Sequence, residues 1–372
     1  MTWDHRRGFD PMVAASEDYA KLHPDVVISW EKRSLQAFAD RPIRDMTDNF
    51  DLLVIDHPHV GECYQDGVLA PLNVGGREKE LAELDRNSIG LSHQSYNFEG
   101  QQWALAIDAA TPVAAFRADL MSNDVPAQWD DVLRLARHRK VAFALVPINA
   151  LMVFMGITNN LGEKIAVGDQ LIARETGQFV LEKMKEIVAL MDPQCLDLDP
   201  IGILDWMGNA VDGPAYSPFG YGYTNYSRNG YCQYPITFAD APGVRCADPR
   251  GTVIGGTGIA VSNTCRFKDV AIDFAYWVAS AEIQKGLYFE SGGQPGHAAA
   301  WESDICNEAS RNFFRNTRRT LDTAWLRPRY PGYIEFQDHA GDIVHACIKS
   351  ELRINSALDT LQDIYRHSRR SS

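Results

Sequence analysis

Short apolar runs alternate with helix-periodic segments along the first sixty residues. "MTWDH" reads as a strand, "FDPMVAASEDYAKLH" has the apolar spacing of a helix, and "DVVISWE" reads as a second strand. A second helix centres on "SLQAFAD", and "FDLLVID" is a third strand. A β-α-β-α-β run of this kind predicts a parallel sheet, and in open parallel sheets ligands gather beyond the carboxyl ends of the strands. The loops that follow two of these ends are "WDHRRG" and "DHPHVG". Trp3 to Arg6 and Asp56 to His59 are therefore expected on one rim.

Further along, "QQWALAIDAAT" predicts a strand, "PVAAFRADLM" and "WDDVLRLARHR" predict helices, and "VAFALVP" another strand, which together suggest a second α/β unit starting near residue 111. A long helical region follows in "DQLIARETGQFVLEKMKEIVALM". Next comes an aromatic, glycine-rich tract, "YSPFGYGYTNYSRNGYCQYPITF", then a strand-like "TVIGGTGIAVS". "KDVAIDFAYWVASAEIQKGLYFE" has a strong helical pattern, and "SALDTLQDIYRHS" is an amphipathic helix. The chain shows no internal repeat and no low-complexity linker.

Composition narrows the class. A chain of 372 residues is long for a single core, so two domains are expected. With 45% hydrophobic and 23% charged residues it can bury a full core. A formal charge of -13 opposes a phosphate backbone, and the one basic run is the tail "RHSRRSS", so nucleic acid is not an expected partner. No apolar stretch approaches the roughly 20 residues that cross a bilayer, which excludes insertion by a helix. The start "MTWDHRRGFD" carries no leader-like apolar segment, an arrangement that fits either a cytoplasmic chain or a matured exported one. Seven cysteines lie scattered without CxxC spacing, against a structural zinc site. Cys232 and Cys246 are spaced to bridge a loop in an oxidising compartment, whereas buried free thiols are the plainer reading.

Candidate chemistry is sparse. His57 and His59 flank Pro58 at the end of a strand, as a histidine pair does in a metal-dependent hydrolase barrel. That reading needs further ligands at later strand ends, and no regular eightfold βα pattern supplies them. The plainer reading is a polar loop that bonds a ligand or its own backbone. "GGTG" at 255–258 lacks the lysine and hydroxyl of a phosphate loop and reads as a tight strand entry. No GxSxG elbow appears, and nothing selects an acid-base pair. The tract from Tyr216 to Tyr226 is richer in tyrosine than a core segment needs, and a flat apolar face with an edge hydroxyl suits a ring bearing hydroxyls. Packing of an edge hairpin accounts for the same residues.

The order of these features resembles the extracellular solute-binding proteins of ABC importers, in their carbohydrate-type group. The stretches that carry the resemblance are "TWDHRRGFDP", "FDLLVIDHPHVG", "GVLAPLN", "SHQSYNFEGQQWALAIDAATPVAAFRADL", "WDDVLRLA", "GIAVS" before "KDVAIDFAYWVASAEIQKGLYFESGGQPG", and "AAW", together spanning residues 1 to about 301. The resemblance implies an α/β fold of the type II periplasmic-binding-protein kind, two lobes joined by a hinge of crossing strands near 109, 256 and 311. Residues 1–109 with 257–311 would form the N-terminal lobe and 110–256 with 312–372 the C-terminal lobe. The ligand cleft between them would draw on Trp3, Asp4, His5, Arg6, Asp56, His57, His59, Ser95, Tyr96 and Asp108 from the first lobe. Asn149, Trp206, Tyr221, Tyr223 and Asn225 would come from the second, with Gly293 and Gln294 near the cleft at a helix end. Asp4 and Arg6 would bond vicinal hydroxyls. The resemblance further implies capture of a sugar or sugar derivative without catalysis, metal or cofactor, by a monomer that serves a membrane permease from the periplasm or cell exterior. The arginines and histidines of the first rim leave a small carboxylate or aromatic acid as an alternative ligand.

Overall fold

The computed structural model describes residues 1–34, 42–121 and 124–370. The helix expected around "SLQAFAD" falls almost wholly on 35–41 and so lies outside the described residues. The first sheet begins with β1 (Thr2–Trp3) and β2 (Lys32–Arg33), which pair in parallel. β3 (Leu52–Ile55) continues the sheet: the Met1 amine donates to the Leu52 carbonyl at 2.9 Å and the Val54 amide donates to the Met1 carbonyl at 3.0 Å. One residue bridging two partners spaced two apart is the parallel pattern. The first strand, first helix and third strand of the expected β-α-β-α-β run are present, but the second strand falls at Lys32–Arg33, just beyond the expected "DVVISWE" at 25–31, which is not in a strand.

The rest of this sheet departs from the parallel expectation. The chain passes through β4 (Leu69–Ala70) and the small hairpin of β5 (Asn97–Phe98) and β6 (Gln101–Gln102) into β7 (Leu105–Ala110). Much later, β11 (Gly255–Ser262) returns and pairs antiparallel with β3 on one edge and with β7 and β4 on the other. The sheet is therefore mixed. Its strands are buried on both faces, which is why "LLVI" reads as a continuous apolar run. Leu52, Val54, Ile259 and Val261 point into a core shared with Met12, Tyr19 and Phe274, whereas Leu53, Ile55 and Ala260 face Val60, Tyr96 and Trp103.

The second sheet consists of β8 (Pro112–Phe116) between β9 (Tyr216–Tyr221) and β10 (Thr237–Ala239), all antiparallel. Here two expectations fail. "PVAAF" is a strand and not a helix: with Pro112 to Ala115 all buried it shows no alternation, and its alanines carry no β preference, so local pattern points the wrong way. "VAFALVP" is extended and buried but docks on β9 through one bridge, Val141 to Tyr216. The expected helices at 129–136, 174–188 and 354–370 are present. The long helix from Lys268 stops at Ala279 and resumes through a short turn and a π-helical segment, Gln284–Tyr288.

Between the two sheets, three stretches run side by side. The Thr111 and Thr252 hydroxyls lie 2.7 Å apart, and Val253 bridges in parallel to Trp325. All seven cysteines are free thiols, so Cys232 and Cys246 are not joined.

Candidate ligand-binding cleft

A cleft of about 750 Å³ opens where the two sheets meet, within the size range of small-molecule sites. Its first wall is built on the Arg6–Leu22 helix. Residues 7, 11, 15 and 19 recur at helical spacing and are buried, so Arg7 sits on the inner stripe and Arg6 on the outer one. The helix approaches Trp3 so closely that a Cβ on Gly8 would lie 2.3 Å from the indole ring, and this contact seats Trp3 in the cleft. The Arg7 guanidinium grips Asp108 of β7 with two N–H groups, one at 2.7 Å, and donates a third bond to the Gly222 carbonyl at 2.9 Å. It also stacks over the Tyr223 ring, 4.5 Å from the centroid. Burial pushes the Asp108 carboxyl above its ordinary value, and Arg7 acts against that rise.

A second ion pair closes another part of the cleft. Asp56 follows β3 and accepts two bonds from Arg327, at 3.1 and 2.9 Å, while Arg327 also donates to the Gln337 side-chain oxygen at 2.8 Å. The Asp56 carboxylate caps the next turn by accepting from the His57 amide at 2.8 Å, and the His57 ring Nδ1 stands 3.1 Å from it. Burial raises this acid, but Arg327 and His57 outweigh burial and hold the carboxyl well below its usual range. His57 is pushed down to about 4 by burial, with the Arg327 charge adding to the effect, so it is neutral.

The opposite wall is apolar and aromatic with open polar groups. Tyr221 and Tyr223 line it beside Met152 and Pro200. The Tyr221 hydroxyl donates to the Val253 carbonyl at 3.2 Å, which leaves its ring edge-fixed in the cleft. Burial pushes Tyr223 up to about 12, so both phenols stay protonated. Asn149 reaches the cleft from this wall and Thr257 from β11 beside Asp108, each more than nine-tenths buried, and the Thr257 hydroxyl has no hydrogen-bond partner. Asp197, Asp199 and Asp342 complete this side. The "GGTG" segment opens β11: Gly256 has φ +96, and a Cβ there would lie 2.4 Å from the Asp108 carbonyl, so the glycine allows strand entry beside the Arg7–Asp108 pair.

Of the residues anticipated from sequence, Trp3, Asp56, Asp108, Asn149, Tyr221 and Tyr223 line this cleft. The others do not. Asp4 pairs with Lys32 at 2.6 Å and Arg6 with Asp10 at 3.2 Å, so these two are not a joint clamp for hydroxyls. His5 caps the first helix, its Nδ1 accepting from the Arg7 amide at 3.0 Å, and its Nε2 lies 3.3 Å from the Tyr231 hydroxyl. His57 and His59 are turned into the protein, so "DHPHVG" offers the cleft its aspartate and withholds its histidines. Ser95 bonds Ser92, Tyr96 bonds the Ile55 carbonyl, and Trp206 packs against the second core. Asn225 bonds the Gly292 carbonyl, Gly293 packs on Tyr288, and Gln294 bonds Thr224 and Ala109. Among the described residues no group of three or more His, Cys, Asp or Glu side chains is placed to hold a metal ion, so His57 and His59 find no further ligands there.

Sequence reading missed Arg327, Gln337 and the Asp197–Asp199 turn, and it took Arg7 as a group for a ligand carboxylate where the structure pairs it with Asp108. Arg7 had a signal in the helical spacing of positions 7, 11, 15 and 19. Arg327 had none, because its partner lies 271 residues away.

Two lobes about a cleft lined by aromatic faces and paired polar groups define a ligand-binding clamp. The family description of the bacterial extracellular solute-binding proteins matches residues 14–304, and the chain belongs to that family. Solved structures agree on the fold. The maltose-bound MalE3 protein of T. maritima superimposes with a TM-score of 0.81 at 13% identity, over 96% of this chain and 95% of that one. An ABC transporter solute-binding protein of Agrobacterium radiobacter K84, in complex with ribitol, gives 0.79 at 19% identity over 96% of each chain. The GacH receptor of Streptomyces glaucescens, solved unliganded and with acarbose, gives 0.80 at 15% identity over 99% and 96%. Among the described residues no helix is long and apolar enough to cross a membrane.

Proposed function

We propose that this chain captures a sugar or related polyol for an ABC importer, by closing two lobes over it and presenting it to a membrane permease outside the cytoplasm. The observation that carries this reading is the cleft itself: Trp3, Tyr221 and Tyr223 offer ring faces for stacking, Asn149 offers a side-chain amide, and Thr257 offers a hydroxyl that no protein partner satisfies. Maltose, ribitol and acarbose in the structural neighbours are ligands of one chemical kind, rich in hydroxyls. Lobes of 1–109 with 257–311 and 110–256 with 312–372 follow the separate cores over most of the chain, and depart from them where Phe289, Trp301 and Cys306 pack into the second core. The protein works as a monomer and binds without turnover. Closure is a hinge motion, so the ligand selects the closed state by touching both walls.

The test is calorimetric titration with neutral mono- and disaccharides and polyols, paired with small-angle scattering. A micromolar complex, about -8 kcal/mol, is expected, with compaction at saturation. Ligand consumption, or saturation without compaction, overturns the reading.

A further inference from the structure

The charges around the cleft are unevenly distributed, and the unevenness bears on the ligand. Both guanidiniums in the cleft hold protein partners, Arg7 Asp108 and the Gly222 carbonyl, Arg327 Asp56 and Gln337, and the one nitrogen left over, the Arg327 Nε, is itself buried. A ligand carboxylate or phosphate would have to break a buried pair to reach either one, leaving a buried aspartate uncompensated. The opposite wall holds acids that no cation answers. Asp197, Asp199 and Asp342 line the cleft, and no lysine or arginine among the described residues forms an ion pair with any of them. Lys349, which feels Asp197, is itself paired with Glu351 at 2.8 Å. Asp199 uses one oxygen to cap the Pro200–Asn209 helix, accepting from the Gly202 amide at 2.7 Å.

Elsewhere in the cleft stand groups that point to a ligand independently of charge, Thr257 on β11 opposite Asp108 and Asn149 on the second wall. The Thr257 hydroxyl is unpartnered in a residue 95% buried on the cleft, where leaving a polar group unbonded costs free energy unless a ligand completes it. The Asn149 side chain, 8% exposed, is likewise open to a donor or acceptor from the cleft. Ligand hydroxyls satisfy these two. The acidic wall adds a field at the mouth of the cleft, where Asp197 and Asp342 are exposed and Asp199 is half-buried, and this field favours positive charge, opposes negative charge and is screened by salt.

We infer that the cleft takes an amino-substituted sugar or polyol, its ammonium set toward the wall of Asp197, Asp199 and Asp342, and rejects sugar acids. This rests on the sugar-binding reading above and deepens it. It also disposes of the carboxylate ligand that the arginines of the first rim suggest in sequence, since the arginine that reaches the cleft there is Arg7 and its partner is internal.

The experiment is titration with matched sets, each a neutral sugar, its amino sugar and its uronic acid, in gluco, galacto and manno configuration and as mono- and disaccharides. At pH 6 the amine is charged and the acid ionised. In the best-fitting set the amino sugar is expected to bind about tenfold tighter than the neutral one, and the uronic acid about tenfold weaker or not at all. Raising salt should pull the amino sugar toward the neutral value and leave the neutral value in place. The double substitution Asp199→Asn and Asp342→Asn should erase the amino preference, and asparagine at 199 keeps the helix cap. An amino sugar no tighter than its neutral match, or a uronic acid that binds as well, overturns the inference while the sugar reading stands. Binding by no set at all overturns the sugar reading and this inference with it.

Discussion

Two buried ion pairs face the cleft, and they solve the same problem in opposite ways. Asp108 and Arg7 are almost completely buried, at 0% and 4% side-chain exposure, and the carboxyl is raised because two bonds from one guanidinium do not offset burial. Asp56 keeps 19% of its side chain exposed and collects more donors, Arg327 twice and the His57 amide, with the His57 ring 3.1 Å away. Its carboxyl is lowered. The number of donors around a buried acid, and not the mere presence of an arginine, decides which way it shifts. Burial makes the proton more welcome on Asp108, whereas Asp56 depends on its cation.

That difference ranks the consequences of breaking each. Arg327→Met leaves the Asp56 carboxylate and the Gln337 oxygen without their donor and unties segments 271 residues apart, at an expected cost of about 3 to 5 kcal/mol in urea denaturation. Adding Asp56→Asn should recover part of that loss. If the double variant is no more stable than the single one, the ion pair is not the source of the cost.

Acid should reach the same region next. His57 titrates near 4 in the folded protein and near its ordinary 6.5 unfolded. Because the folded value is depressed, the unfolded chain takes up a proton that the native state refuses, so this stability is full above about 6.5 and lost as pH falls toward 4. The loss is about 3 kcal/mol at full extent, and His57→Asn should flatten that part of the stability profile. Asp56, also depressed, adds its own loss only in stronger acid, below its ordinary value.

Arg7→Met should be milder, about 2 kcal/mol at neutral pH, because burial raises the Asp108 carboxyl and, once its cation is gone, it takes up a proton more readily than the depressed Asp56 does. The sign of its pH dependence separates the two pairs: with Arg7 gone the Asp108 carboxyl rises further, so the variant's deficit should shrink as pH falls, whereas the Arg327→Met deficit should persist to lower pH. Ligand affinity should drop alongside, since Arg7 holds Tyr223 and the Gly222 carbonyl across the cleft.

The same contrast marks what sequence can and cannot reveal. Asp56 and Asp108 were readable because both sit at or near the end of a buried strand, where a polar residue stands out against its neighbours. Tyr221 and Tyr223 stood out by composition. The first helix and β3 followed from periodicity, and so did most of the helical layer. What was not readable came from afar: Arg327 meets Asp56 only once the chain has folded back, and β11 enters between β3 and β7 from more than 140 residues downstream, turning a predicted parallel sheet into a mixed one. "PVAAF" failed for a local reason, since burial on both faces erases the alternation that identifies a strand. The histidines of "DHPHVG" failed for another, because polar type says nothing of direction, and both rings turn inward.

The smallest expected effect tests His5, which the resemblance places at the ligand and whose ring nitrogen accepts from the Arg7 amide and so caps the start of the helix that carries Arg7. Burial pushes this histidine down to about 4, with the charges of Arg7 and Arg6 adding to the effect, and the neutral ring keeps the lone pair that the cap needs. His5→Ala should cost about 1 kcal/mol and lower affinity slightly through Arg7, while His5→Ser restores an acceptor and should recover most of the stability. If His5→Ser regains stability but affinity remains tenfold down, the imidazole itself meets the ligand, and the cleft extends from Trp3 to the Tyr231 side of the first helix; if both recover together, the pair made by Arg7 and Asp108 is where the first wall meets its solute.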